Sequence, residues 1–273
     1  TVYGLGADAE NESAVRRIFR VKGRPSTHPL IVHVQDPWPW AQDPPPWARR
    51  LAERFWPGPM TLVVRRNRRA SDAVTGGQET VGLRVPSHPL ALSLLRAFGG
   101  GIAAPSANRF GKVSPTTAAH VRSDLGSEVD FILDGGPSTV GVESTIIDCS
   151  GPEPSILRPG GVTREAIQEA LGRPVEVIGT GEIRVPGQLE SHYAPRAEVV
   201  PVSPGELEGR AAELRTRGLN VEVLREPEAR TLYASLREAD ARGADAVVVV
   251  LPALEGLGLA VADRLRKAAA PRG

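Results

Sequence analysis

Apolar positions along residues 1–178 follow two periods, one typical of helices and one of strands. Residues 12–20 place four apolar side chains at helical spacing, which predicts a helix. Helices are also predicted at residues 90–98 and 116–125, and from the Thr163 cap to Leu171. Short apolar runs predict strands at residues 30–34, 61–65, 81–85, 101–104, 129–133, 144–148 and 175–178. We therefore expect a mixed α/β domain.

Two stretches of this region lack a clear period. Residues 36–47 are rich in Pro and Trp and are predicted to form a surface loop. Residues 1–6 have the pattern of a strand end that enters a glycine turn. Because the chain begins inside that pattern without Met, we expect native residues, including a first strand, to precede Thr1.

The last third of the chain alternates between strand-like and helix-like segments. They occur in the order strand, helix, strand, helix, strand, helix, at residues 198–202, 206–217, 221–224, 229–242, 246–251 and 259–268. This order predicts a small parallel α/β unit of Rossmann-like type. The residues before it contain Gly, Pro, His and Tyr but little periodicity, which is typical of a linker. The expected parts are residues 1–178, a linker at 179–196 and a C-terminal domain at 197–273.

Composition narrows the class of protein. The 273 residues are 41% hydrophobic and 24% charged, with a net charge of +1, which excludes disorder and gives no support to a globally basic nucleic-acid binder. Cys149 is the one cysteine, so an internal disulfide and a Cys-rich metal site are excluded. No apolar run has the length of a membrane span and no signal-like segment opens the chain. We expect a cytoplasmic protein without a membrane partner.

Two polar motifs predict a nucleotide site. Lys22-Gly23-Arg24 follows the first helix and precedes Pro25, so we expect the two cations on a loop. At alternate positions of an extended segment they would share a face and clamp adjacent phosphates. Ser106-Ala107-Asn108 ends an apolar run about eighty residues later. The alternative is a solvated surface loop for the cations, with Ser106, Asn108 and Ser114 as caps of helices or turns.

More motifs accompany these two in one consistent order. They are Thr1-Val2-Tyr3-Gly4-Leu5-Gly6, Lys22-Gly23-Arg24-Pro25, Pro29-Leu30-Ile31-Val32-His33, Trp56-Pro57-Gly58-Pro59, Arg84-Val85-Pro86, Ala104-Pro105-Ser106-Ala107-Asn108 and Gly141-Val142-Glu143-Ser144-Thr145-Ile146. Together they resemble the YrdC-like family of threonylcarbamoyl-AMP synthases. Pro186-Gly187 and His192-Tyr193-Ala194-Pro195 are similar to the linker of its long, two-domain form. The resemblance implies a twisted mixed sheet with an open ligand cavity, followed by the small C-terminal domain.

The resemblance also implies a reaction. Enzymes of this family join L-threonine, bicarbonate and ATP into threonylcarbamoyl-AMP and release pyrophosphate. Other proteins, the downstream transfer machinery, then move the threonylcarbamoyl group to tRNA, so direct tRNA binding is not required. Magnesium is expected to arrive with ATP, because the sequence contains no motif for a protein metal cage.

Site residues follow from the resemblance position by position. Lys22 and Arg24 are the expected catalytic cations, because a carboxylate that attacks a phosphate needs its charge neutralised. ATP is expected to contact Arg24, His28, Thr80, Ser106, Asn108, Ser114, Arg158 and Tyr193. Threonine is expected to contact Thr1, His33, Arg84, Ala104 and Ser144, with Arg84 on its carboxylate. His28 departs from the family, which usually has Asn at that position.

Two other functions are compatible with a fold of this type. One is a carbamoyltransferase module that forms a carbamoyl adenylate, and the linker motif argues against it. The other is an RNA-binding module with a basic concave face, and the net charge of +1 argues against it. We also expect the linker to act as a lid over bound ATP, because it combines stiff ends with a glycine hinge.

Overall fold

Eight strands of the computed structural model, which describes residues 1–178, 183–189 and 191–271, form one large mixed sheet. They are β1 (Ala7–Asp8), β2 (Ile31–His33), β3 (Met60–Arg65), β4 (Thr80–Arg84), β5 (Ile102–Ala103), β6 (Thr145–Asp148), β7 (Ser155–Arg158) and β8 (Glu176–Val177). Their order across the sheet is β1-β5-β2-β4-β3-β6-β7-β8. The pairs β2–β4, β3–β6 and β7–β8 are parallel. The other neighbouring pairs are antiparallel.

Six α-helices accompany this sheet in the described residues. They are α1 (Glu12–Lys22), α2 (Pro46–Phe55), α3 (Asp72–Thr75), α4 (Pro89–Phe98), α5 (Ala118–Leu125) and α6 (Arg164–Leu171). Helix α1 begins where the Asn11 side chain accepts hydrogen bonds from two backbone N–H groups, and ends at Gly23 in the left-handed region. Both ends follow ordinary capping chemistry, because Asn accepts from free N–H groups and Gly adopts positive φ without strain.

The two faces of the large sheet differ in polarity. Side chains alternate along a strand, so Leu62, Val64 and Leu83 face the main apolar core, which also contains Val15 and Ile18 of α1. The opposite face, called the polar face below, carries His33 and Arg84, which are register partners in the parallel pair β2–β4. A smaller apolar cluster that includes Ile31 and Val63 lies on the same face. The polar face therefore brings together residues that lie about fifty positions apart in the chain, and it is where the site forms.

The smaller sheet is parallel throughout. Its strands β9 (Glu198–Val202), β10 (Val221–Leu224) and β11 (Ala246–Val250) lie in the order β10-β11-β9. Three helices connect and follow them, α7 (Leu207–Thr216), α8 (Leu232–Ala241) and α9 (Gly258–Ala269). This arrangement confirms the parallel α/β unit predicted from strand–helix alternation.

The two sheets are joined through a shared apolar cluster. Val113 and Val142 from the first part of the chain pack with Leu236 of α8 and with Val261 and Leu265 of α9. Burial of these apolar side chains away from water stabilises the contact between the two units. The expected limits of the linker remain a prediction, and its residues 179–182 and 190, like residues 272–273, lie outside the described residues.

Three local predictions are wrong. Residues 129–133 form no strand, and Phe131 is 89% exposed, because no neighbouring strand pairs with this segment. The expected loop at residues 36–47 contains a short 3-10 turn, Trp38–Trp40, with Trp40 buried, and runs into α2. Lys22 belongs to the last turn of α1 rather than to a loop. Strand β7 was also missed.

Candidate functional site

A cavity of about 1190 Å³ opens on the polar face of the large sheet. Strand ends, the loop after β5 and the segment before β9 line it. Its walls include nine of the residues expected from the sequence, which are Thr1, Arg24, His33, Arg84, Ala104, Ser106, Ser144, Arg158 and Tyr193. The cavity thus joins residues expected for threonine with residues expected for ATP.

Arg84 is fixed at one end of the cavity. Its Nε donates to the backbone oxygen of Gly58 at 2.9 Å, and its Nη1 donates to Oγ1 of Thr1 at 2.9 Å. Burial, together with the nearby charge of Arg158, lowers the pKa of Arg84 to about 10, so the side chain is charged at neutral pH. A buried guanidinium held in this way is prepared to bind a carboxylate.

His33 lies beside Arg84 as a neutral imidazole. Burial, with the nearby charge of Arg84, lowers the pKa of His33 to about 3. Its Nδ1 is buried and finds no hydrogen-bond partner among the described residues. A histidine with so low a pKa is a poor base at neutral pH. The ring lines the cavity, and a contact between His33 and threonine stays a prediction.

Arg158 and Ser144 form the central wall of the cavity. Arg158 donates to the backbone oxygen of Ser144 from Nε at 3.2 Å and from Nη2 at 2.8 Å, and to the Ser144 hydroxyl from Nη2 at 3.2 Å. The Ser144 hydroxyl is also 2.7 Å from Oγ1 of Thr61. Both side chains are therefore oriented by the protein before any ligand binds, which lowers the entropy cost of binding.

Lys22 is buried behind the cavity rather than in its lining. Its Nζ donates to the backbone oxygens of Ser106 at 2.6 Å and Asn108 at 2.5 Å, while Phe110 N donates to the Lys22 oxygen at 2.9 Å. Burial, with the charge of Arg24 adding to it, lowers the pKa of Lys22 to about 7. The expectation that Lys22 and Arg24 project side by side from an extended loop is wrong, because Lys22 ends a helix.

Arg24 extends into the cavity beside an aromatic ring. Its Nη2 donates to the backbone oxygen of Pro29 at 3.1 Å, and its guanidinium lies 5.6 Å from the centre of the Phe110 ring. Nε of Arg24 is buried and has no partner among the described residues. Burial, against an opposing effect of Tyr193, lowers the pKa of Arg24 to about 10. Arg24 is thus charged and forms part of the cavity wall.

Four expected ATP contacts lie outside the lining of this cavity. His28 meets Phe110 edge to face, with ring centres 5.5 Å apart. Asn108 is buried, and its amide donates to the backbone oxygens of Arg109 and Lys112 at 2.8 Å. Thr80 lines a small adjoining pocket. Ser114 donates to Oε1 of Glu143 at 2.6 Å, so its hydroxyl serves a protein carboxylate.

The segment before β9 closes one side of the cavity. Tyr193 stacks on Tyr233 with ring centres 5.7 Å apart, and the guanidinium of Arg264 lies 5.0 Å from the centre of the Tyr193 ring. Lys267 donates from Nζ to the Gly187 oxygen at 2.7 Å, and its backbone oxygen accepts from His192 N at 3.1 Å. The C-terminal helices therefore hold the linker against the site.

Glu143 and Phe110 are site residues that the sequence reasoning missed. Glu143 lines the cavity and is buried. Its position between Val142 and Ser144 was the available signal, because a carboxylate inside a buried segment needs a partner. Phe110 contacts Arg24, His28 and His192, but a single aromatic residue in a loop carries no such signal.

Positive charge dominates the site. Within the described ranges, Lys22, Arg24, Arg84 and Arg158 make no salt bridge to a carboxylate, although all four are buried. Arg158 has the buried Glu143 carboxylate nearby as a counter-charge. Buried charges without a protein counter-ion are costly, so a bound anion at Arg24 or Arg84 would relieve that cost. The arrangement can bind two anionic groups, one at Arg84 and one near Arg24, and neutralise charge between them.

The described residues contain no cluster of three or more His, Cys, Asp or Glu side chains that could hold a metal ion. Among the same residues, no helix is long and apolar enough to cross a membrane.

Comparisons with known proteins agree with the two-part organisation. A family model named Sua5_yciO_yrdC and described as "Telomere recombination" matches residues 1–160. A second, Sua5_C, described as "Threonylcarbamoyl-AMP synthase, C-terminal domain", matches residues 162–270. The threonylcarbamoyl-AMP synthase of Pyrococcus abyssi is 40% identical over all of this chain and 89% of its own length. That of Bacillus subtilis is 41% identical over all of this chain and 88% of its own length.

A solved structure resembles the whole fold. The crystal structure of P. abyssi Sua5 complexed with L-threonine has a TM-score of 0.93 and 39% identity, and the match covers 98% of this chain and 88% of that one. The likeness therefore extends over both sheets and the segment between them.

Proposed function

The chain belongs to the two-domain Sua5/YrdC family of threonylcarbamoyl-AMP synthases, and from this premise we propose that it makes threonylcarbamoyl-AMP. Its substrates are L-threonine, bicarbonate and ATP, and its second product is pyrophosphate. One observation supports this most directly. Arg84 at one end of the cavity and Arg24 at the other are buried, charged and without a carboxylate partner in the described residues. The two ends suit an amino-acid carboxylate and a polyphosphate.

The proposed reaction has two stages. Threonine nitrogen and bicarbonate first form a carbamate, and water leaves. A carbamate oxygen then attacks the α-phosphorus of ATP, a new phosphorus–oxygen bond forms, and the bond to pyrophosphate breaks. Because attacking group and phosphate are both anions, positioning and charge neutralisation supply most of the rate enhancement.

Arg84, His33, Thr1, Ala104 and Ser144 hold threonine in this proposal. Arg84 binds the carboxylate, since its guanidinium is already oriented by Gly58 and Thr1. His33 acts as a hydrogen-bonding contact rather than a base, because its pKa of about 3 keeps it neutral. The hydroxyl of Ser144 is within reach of the cavity and can contact the threonine hydroxyl. A site built for such a bond rejects amino acids that lack it.

The nucleotide end uses a second group of residues. Arg24 and Lys22 are the proposed catalytic cations, with Arg24 as the direct phosphate contact and Lys22 fixing the loop that carries Ser106 and Asn108. Arg158 lies between the two ends, beside Ser144, where the carbamate and the α-phosphate would meet. The other ATP contacts are His28, Thr80, Ser106, Asn108, Ser114 and Tyr193.

Magnesium fits this site as a companion of ATP. Oδ1 of Asn108 is buried and has no partner among the described residues, and an amide oxygen is an acceptable magnesium ligand. The chain would therefore contribute that oxygen, and phosphate oxygens and water would supply the other ligands. Magnesium, when bound, would reduce the negative charge of the phosphates.

The chemistry of the product implies that this protein acts before a reaction that transfers the threonylcarbamoyl group. A threonylcarbamoyl adenylate is an activated acyl donor, so we propose that it is consumed by the machinery that modifies tRNA. The protein itself needs no direct tRNA contact for the synthesis. We propose the cytoplasm as its location, where ATP and tRNA are present.

A pyrophosphate-release assay tests the proposal. The purified chain is incubated with ATP, magnesium, bicarbonate and each amino acid in turn, and products are identified by mass spectrometry. We expect pyrophosphate and threonylcarbamoyl-AMP only when threonine and bicarbonate are both present. Equal turnover without bicarbonate contradicts the proposal, and a preference for carbamoyl phosphate indicates the carbamoyltransferase alternative. Salt-dependent binding of RNA without turnover indicates the RNA-binding alternative.

A further inference from the structure

Glu143 is a buried carboxylate that connects the cavity to the C-terminal domain. Its Oε2 accepts from Nε of Arg264 at 2.8 Å and from the Tyr233 hydroxyl at 2.8 Å. Its Oε1 accepts from the Ser114 hydroxyl at 2.6 Å. Tyr233 belongs to α8 and Arg264 to α9, so two elements 90 and 121 residues further along the chain meet at one carboxylate.

The Glu143 carboxylate remains charged in this position. Burial alone would raise its pKa, but Arg264 and Arg158, helped by the Ser114 hydroxyl, lower the pKa of Glu143 to about 2. Each guanidinium nitrogen of Arg264 also has a hydrogen-bond acceptor. Besides the bond from Nε to Glu143, Nη1 donates to Asp263 at 2.5 Å and Nη2 donates to the Pro159 oxygen at 3.0 Å. Breaking a buried network of this kind leaves an uncompensated charge, which costs more than the pair itself contributes.

The same two C-terminal residues also support the linker. Tyr233 stacks on the Tyr193 ring, and the guanidinium of Arg264 lies over the same ring at 5.0 Å from its centre. Tyr193 and Glu143 both line the cavity. A shift of Tyr233 or Arg264 would therefore move two parts of the cavity wall together.

The residues expected to bind threonine have hydrogen bonds of their own. Ser144 follows Glu143 directly, but Arg158 and Thr61 already hold its backbone oxygen and its hydroxyl. Arg84 is held by Gly58 and Thr1, and neither residue hydrogen-bonds to Glu143. The charge of Arg158, which holds Ser144, lies close enough to Glu143 to lower its pKa, so the two ends share this electrostatic link. A change at Glu143 should thus reach Ser114 and Tyr193 more strongly than it reaches the threonine contacts.

We propose that Glu143 is a positioning residue through which Tyr233 and Arg264 of the C-terminal domain fix Tyr193 at the nucleotide end of the cavity, with Ser114 holding the carboxylate from behind the cavity wall. This inference rests on the proposed function, since it takes that end to be the ATP site. It gives the C-terminal domain a part in nucleotide binding without a direct contact to ATP.

Three variants and one control test the inference. Tyr233→Phe removes one hydroxyl and keeps the ring on Tyr193, whereas Glu143→Gln removes the charge and keeps the shape. The third variant combines the two. Leu214→Ala is the control, because Leu214 is buried in the C-terminal cluster on the far side of the small sheet, apart from Glu143. It destabilises the C-terminal domain without touching the network.

Two readouts are measured for each protein, well below its unfolding temperature. Calorimetry gives the dissociation constant of a non-hydrolysable ATP analogue, and the pyrophosphate assay gives KM for ATP and for threonine. We expect the ATP analogue to bind about tenfold more weakly in Glu143→Gln and about threefold more weakly in Tyr233→Phe, with KM for threonine changed by less than about twofold. The double variant should lose less affinity than the sum of the two single losses, because both changes act on the same contact between Tyr233 and Glu143.

Three results would overturn the inference. They are unchanged ATP affinity in both single variants, equal losses for ATP and threonine, and a loss in Leu214→Ala as large as that in Glu143→Gln. The last result would mean that any destabilisation of the C-terminal domain has the same effect. Failure of the proposed function is recognised separately, as a wild-type protein that binds the analogue but makes no threonylcarbamoyl-AMP. In that case the binding measurements alone decide the role of Glu143.

Discussion

The guanidinium of Arg158 donates two hydrogen bonds to the backbone oxygen of Ser144, from Nε at 3.2 Å and from Nη2 at 2.8 Å. Its third nitrogen, Nη1, donates to the Pro186 oxygen at 2.9 Å. One side chain therefore connects β7, the segment before β6 and the linker. Only a planar guanidinium offers donors in these directions at once, so the geometry depends on Arg rather than on positive charge alone.

The first prediction concerns this geometry. Arg158→Lys keeps the charge but loses at least one of the three donor positions, and we expect turnover to fall by about tenfold or more, since a charge-assisted hydrogen bond contributes about 1.5–3 kcal/mol. Arg158→Met, which also removes the charge, should be worse. Pyrophosphate release at saturating substrates measures both. Full activity of Arg158→Lys would show that the charge alone is sufficient.

A second prediction separates the two ends of the cavity. Arg84→Ala should weaken threonine binding, and Arg24→Ala should weaken ATP binding, each by about 1.5–3 kcal/mol, because each variant loses a charge-assisted contact to a different ligand. Titration of each variant with each ligand gives four dissociation constants. Equal losses for both ligands in both variants would contradict the assignment of the two ends.

Local sequence patterns were sufficient to predict much of the fold. Helix α1 could be predicted because its apolar spacing and the following Gly are local signals, and the small sheet because its strands and helices alternate strictly. Strand β7 was missed because it has four residues between Pro154 and Pro159. Residues 129–133 have an apolar composition but no pairing partner, and pairing between distant strands cannot be read from one segment.

The site, like the fold, has parts that local sequence motifs predict and parts that depend on distant residues. Lys22, Arg24, Arg84 and Ser144 stood in motifs that point to ligand chemistry, and the structure places all of them in or directly behind one cavity. The network at Glu143 could not be predicted, because its partners Tyr233 and Arg264 lie in ordinary helical segments far along the chain. Only the packing of the C-terminal helices brings them together.

The third prediction uses the pKa of Lys22, which burial lowers to about 7 from an ordinary value of 10.5. Between these two pH values the unfolded chain binds the proton and the folded chain does not, so this residue makes the protein more stable as pH rises from about 7 to 10.5. An anionic nucleotide nearby favours the ammonium form. We therefore expect ATP binding at pH 8.5 to take up a proton.

Calorimetric titrations in buffers with different ionisation enthalpies measure that uptake. The wild-type protein should take up close to one proton at pH 8.5 and almost none at pH 6, where Lys22 is already charged. Lys22→Met should take up none at either pH. Binding by the wild-type protein without any dependence on the buffer would contradict this assignment.

The last prediction concerns the linker, where Gly187 and Tyr193 lie against each other. Gly187 has φ +87, and a Cβ at that position would be 2.3 Å from the Tyr193 hydroxyl and 3.1 Å from Cδ of Arg158. Gly187→Ala must therefore displace either the tyrosine ring or the linker backbone. Gly218→Ala is the matched control, because Gly218 has φ +84 but no atom within 4 Å of the added Cβ.

Both substitutions carry the cost of a left-handed residue, about 1–2 kcal/mol, so a similar fall in thermal stability is expected from that cause. Only Gly187→Ala should also weaken ATP binding. It should also release free threonine and AMP, because a linker that does not pack over the cavity lets water reach and hydrolyse the acyl adenylate. Tyr193→Ala should release the same hydrolysis products. If Gly187→Ala and Tyr193→Ala lose stability but make threonylcarbamoyl-AMP without hydrolysis, the linker joins the two domains and plays no part as a lid.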